Sequence, residues 1–252
     1  MFDLSVRPEA RLKAAVIDKL YSSSHVDRDA VLISEMVVDN WSRRADVVLA
    51  NGKLWCFEIK SELDSMSRLP GQIDTFTRSF EKLVVVVASK FEKPARAILP
   101  EGVGLWVEEC DGSLKERIRP KVAPLTKDAA IKAMTTAELR HLLACNGAAP
   151  TAGAQRADLS RLAASLPASD LANAARDAIK RRYRSRHAEF DAQRVTHGTI
   201  AALSSLRRPP ARASRVEHVD DTPRTSSTEM LVPTDHPAFF MAPAGPVLRR
   251  LR

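Results

Sequence analysis

The sequence predicts an α/β fold in which helices flank a mixed β-sheet, followed by a small all-α region and a disordered tail. Up to Pro120, helix-like periodicity alternates with short apolar runs that are typical of strands. Alanine, leucine and arginine dominate from Thr126 onward. From about Ser204 the chain has few spaced apolar residues and alternates Pro, Arg, Ser, Thr and Asp, which indicates disorder. The three expected regions are residues 1–122, 126–200 and 204–252.

The first predicted elements are a helix and a β-hairpin. Residues 8–21 read as a helix, because apolar side chains recur every four residues on one face. Two apolar strands then flank Asn51-Gly52, the strongest short hairpin signal, since both residues tolerate a positive φ.

A second helix is expected after the hairpin. Its apolar stripe consists of Leu69, Ile73, Phe76 and Phe80. Asp64, Arg68 and Gln72 recur every four residues, which would place them on one helix face. Pro70 suits the first turn of a helix, so the alternative is that Asp64 and Arg68 lie in the preceding loop.

The rest of the first region completes the sheet. Residues 83–88 form a continuous apolar, β-branched run, typical of a strand that is buried on both faces. We expect a short helix over residues 94–99, a strand over residues 103–107 and an edge strand over residues 114–118. A region of about 120 residues can bury an adequate single core.

Charged residues cluster around the predicted hairpin. Folding at the turn brings Asp46 back alongside Glu58 and Lys60, while Ile59 points into the core. Mg²⁺ prefers oxygen ligands, usually one or two carboxylates with waters and substrate phosphate. We therefore expect Asp46 and Glu58 to bind Mg²⁺, for which Mn²⁺ can substitute. Lys60 would hold the attacking water or help to deprotonate it.

An ordinary surface hairpin with a salt bridge is the alternative, because so short a pattern also occurs by chance. Both strands look buried, however, and charges inside apolar strands are rarely there for stability alone. Gln72 either positions a water or a phosphate or faces solvent. Glu35, which lies upstream of the hairpin, either completes the metal site or faces solvent.

Together these residues resemble the PD-(D/E)XK nuclease superfamily, which has the restriction-endonuclease-like fold. Within it, the likeness is to a small bacterial and phage-borne branch with an R-A-D strand, an F-E-I-K-S strand and an R-L-x-x-Q helix. The corresponding segments are Arg44-Ala45-Asp46, Phe57-Glu58-Ile59-Lys60-Ser61 and Arg68-Leu69-Pro70-Gly71-Gln72. The likeness covers roughly residues 7–120.

The resemblance implies metal-dependent hydrolysis of DNA phosphodiester bonds. It makes Asp46 and Glu58 metal ligands and Lys60 a catalytic residue, with support from Glu35 and Gln72. Some members of the superfamily keep binding without catalysis, so an inactive nucleic-acid-binding or adaptor protein is the alternative. A protein-interaction module from a mobile element is a third hypothesis. Many such folds form homodimers to cut both strands, and the oligomeric state stays open.

The all-α region contains two predicted helices, residues 136–145 and 157–166, with a glycine-punctuated loop between them. A threonine is the N-cap candidate of the first helix. This arrangement resembles a SAP-type DNA-binding motif over about residues 135–167. The matching apolar and glycine positions are Leu139, Leu142, Leu143, Gly147, Gly153, Leu159 and Leu162. Any helical hairpin with a leucine core would look similar, so both interpretations stay open.

Basic residues mark the expected nucleic-acid interface. A helix that is charged nearly all round is solvated, and counterion release makes phosphate binding by it favourable. A basic residue beside a helix N-terminus can also hold a phosphate. The candidates are Arg68, Arg156, Lys180, Arg181, Arg182 and Arg184. The alternative is a solubilising surface helix, and RNA remains an alternative to DNA.

Whole-chain properties agree with this interpretation. A net charge of +8 and a pI near 9.7 favour a polyanionic partner. Cys56, Cys110 and Cys145 show neither zinc spacing nor a disulfide framework, which favours a reducing cytoplasm. No signal peptide or long apolar span is present, so membrane insertion is not expected. No Walker A sequence and no glycine-rich dinucleotide fingerprint occurs.

Overall fold

The structure is a computed structural model that describes residues 7–38, 43–148, 150–151 and 153–206 of the 252-residue chain. It contains one six-stranded sheet among these residues. The strands are β1 (Val31–Val38), β2 (Arg43–Ala50), β3 (Leu54–Lys60), β4 (Lys82–Val87), β5 (Gly104–Glu108) and β6 (Leu114–Ile118). The helices are α1 (Pro8–Ser22), α2 (Leu69–Ser79), α3 (Glu92–Ile98), α4 (Lys127–Ala133), α5 (Thr136–Cys145), α6 (Arg156–Ala163), α7 (Ala168–His197) and α8 (Thr199–Leu206).

The sheet is mixed, and its strands lie side by side in chain order. The strands β1, β2 and β3 pair antiparallel, β3, β4 and β5 pair parallel, and β6 returns antiparallel to β5. Helix α2 connects β3 to β4 and helix α3 connects β4 to β5, as parallel neighbours require. The predicted α/β class, with a mixed sheet and a following helical region, is confirmed.

Local sequence signals explain most element boundaries. Gly52 adopts φ +92° in the turn between β2 and β3, as the hairpin prediction requires. Pro70 lies in the first turn of α2, and Arg68 is its N-cap residue. Asp64 and Arg68 therefore precede the helix, which confirms the alternative that places them in the loop. Thr135 caps α5 through a capping box with Glu138.

Two parts of the sequence prediction need correction, and a third lies outside the described residues. Strand β1 was not expected, because its apolar run is interrupted by Ser34-Glu35 in the middle. Residues 204–206, which were assigned to the tail, belong to α8. The remainder of the predicted tail, residues 207–252, lies outside the described residues. None of the described helices is long and apolar enough to cross a membrane.

Both faces of the sheet are covered by helices. On one face, α1, α8 and the C-terminal part of α7 enclose a core that includes Leu12, Phe57, Trp106 and Phe190. On the other face, α2, α4 and the N-terminal part of α7 enclose a second core, which α5 and α6 extend. Strand β3 lies inside the sheet and is buried along its whole length.

The helical region shares its core with the sheet. Leu171 and Ile179 of α7 belong to the same cluster of buried side chains as Val31 of β1 and Phe76 of α2. The described residues fall in one compact unit by their contacts. The expected boundary near residue 122 thus marks a change of secondary structure within a continuous core.

This shared core makes a testable prediction about cooperativity. Ile179 is fully buried, so Ile179→Ala is expected to lower the free energy of unfolding by about 2–5 kcal/mol. All three tryptophans precede residue 122, so their fluorescence reports only on the sheet region during urea unfolding. The fluorescence transition is expected to shift as far as the circular dichroism transition.

Leu162→Ala is the matched control, because Leu162 is 45% exposed. We expect this variant to change stability by less than about 0.5 kcal/mol. A tryptophan transition that stays in place in Ile179→Ala, while the helix signal shifts, would show two independent domains.

Candidate metal and catalytic site

The site is built at the end of β3, where two charged side chains are buried. Glu58 is 2% exposed and Lys60 is 4% exposed. Lys60 Nζ donates a hydrogen bond of 2.9 Å to Glu58 Oε1. Because the residues are two apart on one strand, they share a sheet face, while Ile59 packs in the core of the opposite face. These orientations agree with the alternation expected from the sequence.

Asp46 joins β2 to this end of β3 through its side chain. The backbone pairing of the two strands runs from Ala50↔Leu54 to Val47↔Phe57. One residue further along β2, Asp46 Oδ2 accepts a 2.8 Å hydrogen bond from the backbone N–H of Ile59. The Asp46 carboxylate therefore continues the connection between the strands and is held beside Glu58.

Gln72 completes this part of the site from α2. Its Nε2 donates a short hydrogen bond to Glu58 Oε1, the oxygen that Lys60 also contacts. The other oxygens of the pair, Glu58 Oε2 and Gln72 Oε1, are buried and have no hydrogen-bond partner among the described residues. A buried acceptor without a partner is unfavourable, so a cation or a water is the natural occupant of this space.

Glu35 reaches the site because the backbone of β1 is irregular there. It adopts φ +58°, a left-handed conformation that a non-glycine residue rarely takes within a strand. Its neighbours Ser34 and Met36 still pair with β2, opposite Val47 and Ala45. The irregularity turns the Glu35 carboxylate toward Asp46 and α1.

Helix α1 contributes two charged residues that the sequence interpretation missed. Lys13 Nζ lies 2.5 Å from Glu35 Oε1 and 3.6 Å from Glu9 Oε1. Carboxylate oxygens of Glu9, Glu35 and Asp46 lie within 4.8 Å of one another. The available signal was the one-turn spacing of Glu9 and Lys13, with Lys13 next to the buried Leu12.

Burial shifts the protonation of the two central carboxyl groups. Desolvation, opposed chiefly by the charge of Lys13, raises the pKa of Asp46 to about 6. Desolvation and then the nearby Asp46 charge raise the pKa of Glu58 to about 8. Both groups are therefore held in a setting that penalises their negative charge when no cation is present.

The donor set fits a hard divalent cation. Asp46 and Glu58 offer carboxylate oxygens, Gln72 offers an amide oxygen, and the Glu58 Oε2 and Gln72 Oε1 atoms have no other partner among the described residues. Mg²⁺ and Mn²⁺ accept such ligands. The residues that the sequence singled out, Asp46, Glu58, Lys60, Gln72 and Glu35, are gathered in one place.

Most of the residues predicted to contact nucleic acid form hydrogen bonds or ion pairs with other parts of the protein. Arg156 donates to the carbonyl oxygens of Met134 and Ile131 at the end of α4. Arg182 forms an ion pair with Glu138 and also donates to the carbonyl of Ala133.

Lys180 and Arg184, two more of these residues, bind the same carboxylate, that of Asp29. Lys180, which is buried, forms a short ion pair with Asp29, and Arg184 Nη2 lies 2.8 Å from the other oxygen of Asp29. These contacts tie α7 to the segment before β1. Arg181 and Arg68 are exposed, so they remain candidates for contact with a phosphate.

The start of β2 supplies two further arginines near the site. Arg44 is mostly exposed and lies 3.6 Å from Glu35. The guanidinium of Arg43 packs against Gly71, where an added Cβ would lie 3.0 Å from Arg43 Nη2. Arg68 is the N-cap residue of α2, the helix that carries Gly71 and Gln72. We call Arg43, Arg44 and Arg68 the arginine rim.

Comparison with known proteins gives three findings. A family model described as bacteriophage P4 protein cII matches residues 3–207. Protein cII of Enterobacteria phage P4 is 34% identical over 209 residues, which cover 79% of this chain and 79% of that protein. A solved structure, SPO1766, a protein of unknown function from Silicibacter pomeroyi, has a TM-score of 0.39 and 21% identity, covering 57% of this chain and 94% of that one.

The buried carboxyl groups make a prediction about pH. The folded-state pKa of Glu58 is raised from 4.5 to about 8, so the folded protein binds this proton more tightly than the unfolded chain. Without divalent cations, stability is expected to fall by roughly 1–4 kcal/mol as pH rises from about 4.5 to about 8. Chemical unfolding across this range measures the loss.

Glu58→Gln cannot ionise at this position, so its stability should vary less with pH in the same window. Glu101→Gln removes a carboxylate whose side chain is 87% exposed and is expected to keep the wild-type pH profile. Equal slopes for wild type and Glu58→Gln would contradict the assignment of the pH dependence to Glu58.

Proposed function

The chain belongs to the bacteriophage P4 protein cII family, and we propose that it is a metal-dependent nuclease that hydrolyses phosphodiester bonds of DNA. The observation that carries this proposal is the buried group of Asp46, Glu58 and Lys60, in which Glu58 Oε2 has no hydrogen-bond partner among the described residues. A PD-(D/E)XK relationship and a restriction-endonuclease-like fold are part of the proposal.

Asp46 and Glu58 would hold the Mg²⁺ ion, and Mn²⁺ could replace it. When bound, the ion lowers the pKa of a coordinated water and offsets negative charge on the scissile phosphate. The protein's part is to hold both carboxyl groups in fixed positions for the ion. The hydrogen bond from the Ile59 N–H orients Asp46, and those from Lys60 and Gln72 orient Glu58.

Lys60 is proposed as the catalytic residue next to this ion. Its ammonium is buried and contacts Glu58 Oε1, so it lies within reach of a water or phosphate oxygen bound between the two acids. Holding that oxygen would orient the nucleophile or stabilise the charge that develops on the phosphate. Gln72 acts as a positioning residue, because its amide donates to Glu58.

The energetics favour a functional explanation over a structural one. Placing ionisable groups in a buried position costs stability unless they are fully paired. Among the described residues, only one of the two Glu58 carboxylate oxygens has a hydrogen-bond partner. A structural ion pair has no need for the second, unpartnered oxygen. A site that binds a cation or substrate does need it, and such sites often show strongly shifted pKa values.

The proposed substrate contact is the arginine rim. Arg44 is exposed 3.6 Å from Glu35, and the exposed Arg68 is the N-cap residue of the helix that carries Gln72, so both are proposed to contact the approaching strand. Since Arg156, Lys180, Arg182 and Arg184 make internal contacts, the helical region would contribute through Arg181. The SAP-like interpretation of residues 135–167 remains a prediction, as do a cytoplasmic location, homodimer formation and RNA as a substrate.

Cleavage assays test the catalytic proposal. We expect wild-type protein to cut DNA with Mg²⁺ or Mn²⁺ and not with EDTA. Asp46→Asn and Lys60→Ala should each lower the rate by about 100-fold or more, because they remove a ligand and the group beside the nucleophile. Single-stranded DNA, duplex DNA and RNA run in parallel identify the substrate.

Lys93→Ala is the control, because it removes a lysine that is exposed outside the site. Its rate should equal that of wild type. If wild type and Lys60→Ala bind DNA equally well and neither cuts it, the inactive binding or adaptor hypothesis replaces the nuclease. Cleavage that survives both site variants would also exclude the assigned residues.

Binding measurements at several salt concentrations test the arginine rim. Arg68→Ala is expected to weaken DNA binding and to reduce the slope of log K against log salt by about one phosphate contact. Arg181→Ala removes the same charge from α7 and reports on the helical region. A change in slope for Arg181→Ala alone would place the interface on α7 and away from the rim.

A further inference from the structure

Lys13 is a buried cation enclosed by acidic groups. Its side chain is 2% exposed and lies on the apolar face of α1. Its ammonium forms ion pairs with Glu35 and Glu9, and its charge also acts on Asp46. Since the oxygens of these three carboxylates approach one another within 4.8 Å, the Lys13 ammonium fills a position that a metal ion could otherwise take.

Asp46 is close to two groups of acidic residues, and these groups differ in how far their carboxylate oxygens are paired. On the side of Glu9 and Glu35, Lys13 supplies the positive charge. On the side of Glu58, Lys60 and Gln72 contact only Oε1, and Oε2 is buried with no partner among the described residues. The Glu58 side thus has a carboxylate oxygen without a partner among the described residues, whereas the side of Glu9 and Glu35 already contains the Lys13 ammonium.

We propose that Lys13 is a built-in counter-ion that fills the second cation position beside Asp46, so that the site takes one divalent cation and excludes another. This inference rests on the proposed metal site between Asp46 and Glu58. It assigns the metal stoichiometry of the site to a residue of α1 whose ion pairs, among the described residues, are with Glu9 and Glu35.

The surroundings explain why a metal ion would not displace Lys13. Lys13 is 2% exposed, and its chain neighbours Leu12 and Ala14 belong to the apolar core between α1 and the sheet. Displacing the ammonium from Glu35 would break a buried ion pair while the rest of the Lys13 side chain stays buried, which is costly. A divalent ion would also have to give up its waters for a site whose negative charge is already partly neutralised.

Manganese binding to the full-length protein tests the proposal. We measure the number of bound Mn²⁺ ions by isothermal titration calorimetry and by the electron paramagnetic resonance signal of free Mn²⁺. Wild type is expected to bind one ion and Lys13→Met two, because the variant removes the ammonium that forms ion pairs with Glu9 and Glu35 beside Asp46. Mn²⁺ should also raise the melting temperature of Lys13→Met more than that of wild type.

Lys180→Met is the matched control. Lys180 is likewise a buried lysine that forms an ion pair, but its partner Asp29 lies outside the site. This variant should bind one Mn²⁺ ion and show the wild-type response of melting temperature to Mn²⁺. The comparison distinguishes the effect of losing any buried lysine ammonium from the effect of losing that of Lys13.

The outcomes distinguish the counter-ion proposal from the nuclease proposal. One ion in both wild type and Lys13→Met, or two ions in wild type, overturns the role of Lys13. No ion in wild type with one in Lys13→Met supports that role and removes the metal site between Asp46 and Glu58. No ion in either protein overturns both.

A folding defect in Lys13→Met still gives a result. Without the Lys13 ammonium, the carboxylates of Glu9, Glu35 and Asp46 repel one another more strongly, so the variant is expected to be unfolded or unstable in EDTA. Recovery of the wild-type circular dichroism spectrum on adding Mn²⁺, but not on adding K⁺ at the same ionic strength, supports the proposal. A variant that stays unfolded in Mn²⁺ overturns it.

Discussion

The hydrogen bond from the Ile59 N–H to the Asp46 carboxylate is the contact on which the site depends. Backbone pairing between β2 and β3 extends to Val47 and Phe57, and this side-chain contact comes next. An acidic side chain is thus part of how the two strands are joined at that end. The same bond brings Asp46 next to Glu58, so the fold and the candidate chemistry share one interaction.

Charge balance around Asp46 follows from that placement. Four carboxyl groups and two lysine ammonium groups meet at this end of the sheet, and each ammonium comes from a different element. Lys60 arrives on β3 beside Glu58, whereas Lys13 arrives on α1 beside Glu35. Burial raises the pKa values of Asp46 and Glu58, and these two cations oppose that rise only in part. The remaining deficit of positive charge is what a divalent cation would supply.

Local signals in the sequence were sufficient for much of the fold. The turn at Asn51-Gly52 and the alternation along β3 predicted the hairpin and the meeting of Asp46, Glu58 and Lys60, because both depend on neighbours in the chain. Strand β1 is not predicted, since Ser34-Glu35 interrupts its apolar run, and the left-handed conformation of Glu35 at that point cannot be read from neighbouring residues.

Long-range contacts could not be predicted in the same way. Lys13 and Glu35 are 22 residues apart, and Lys180 and Asp29 are 151 residues apart, so no spacing rule pairs them. Basic residues of α7 consequently looked like a free phosphate-binding surface. In the structure, Lys180 and Arg182 are used to dock α7 on the rest of the protein. Composition reveals an excess of positive charge, but not which charges are already neutralised.

The 30-residue helix α7 lies against one edge strand of the sheet. It runs about 45 Å and passes along β1, where His187 Nδ1 accepts a 3.4 Å hydrogen bond from the Leu32 N–H. At Leu32, that edge of the sheet is therefore occupied by the protein's own helix. The opposite edge, β6, carries the exposed side chains of Lys115 and Glu116, which disfavour docking of a foreign strand. Both edges thus have features that disfavour strand addition, which favours helices or loops as the contacts of a symmetric assembly.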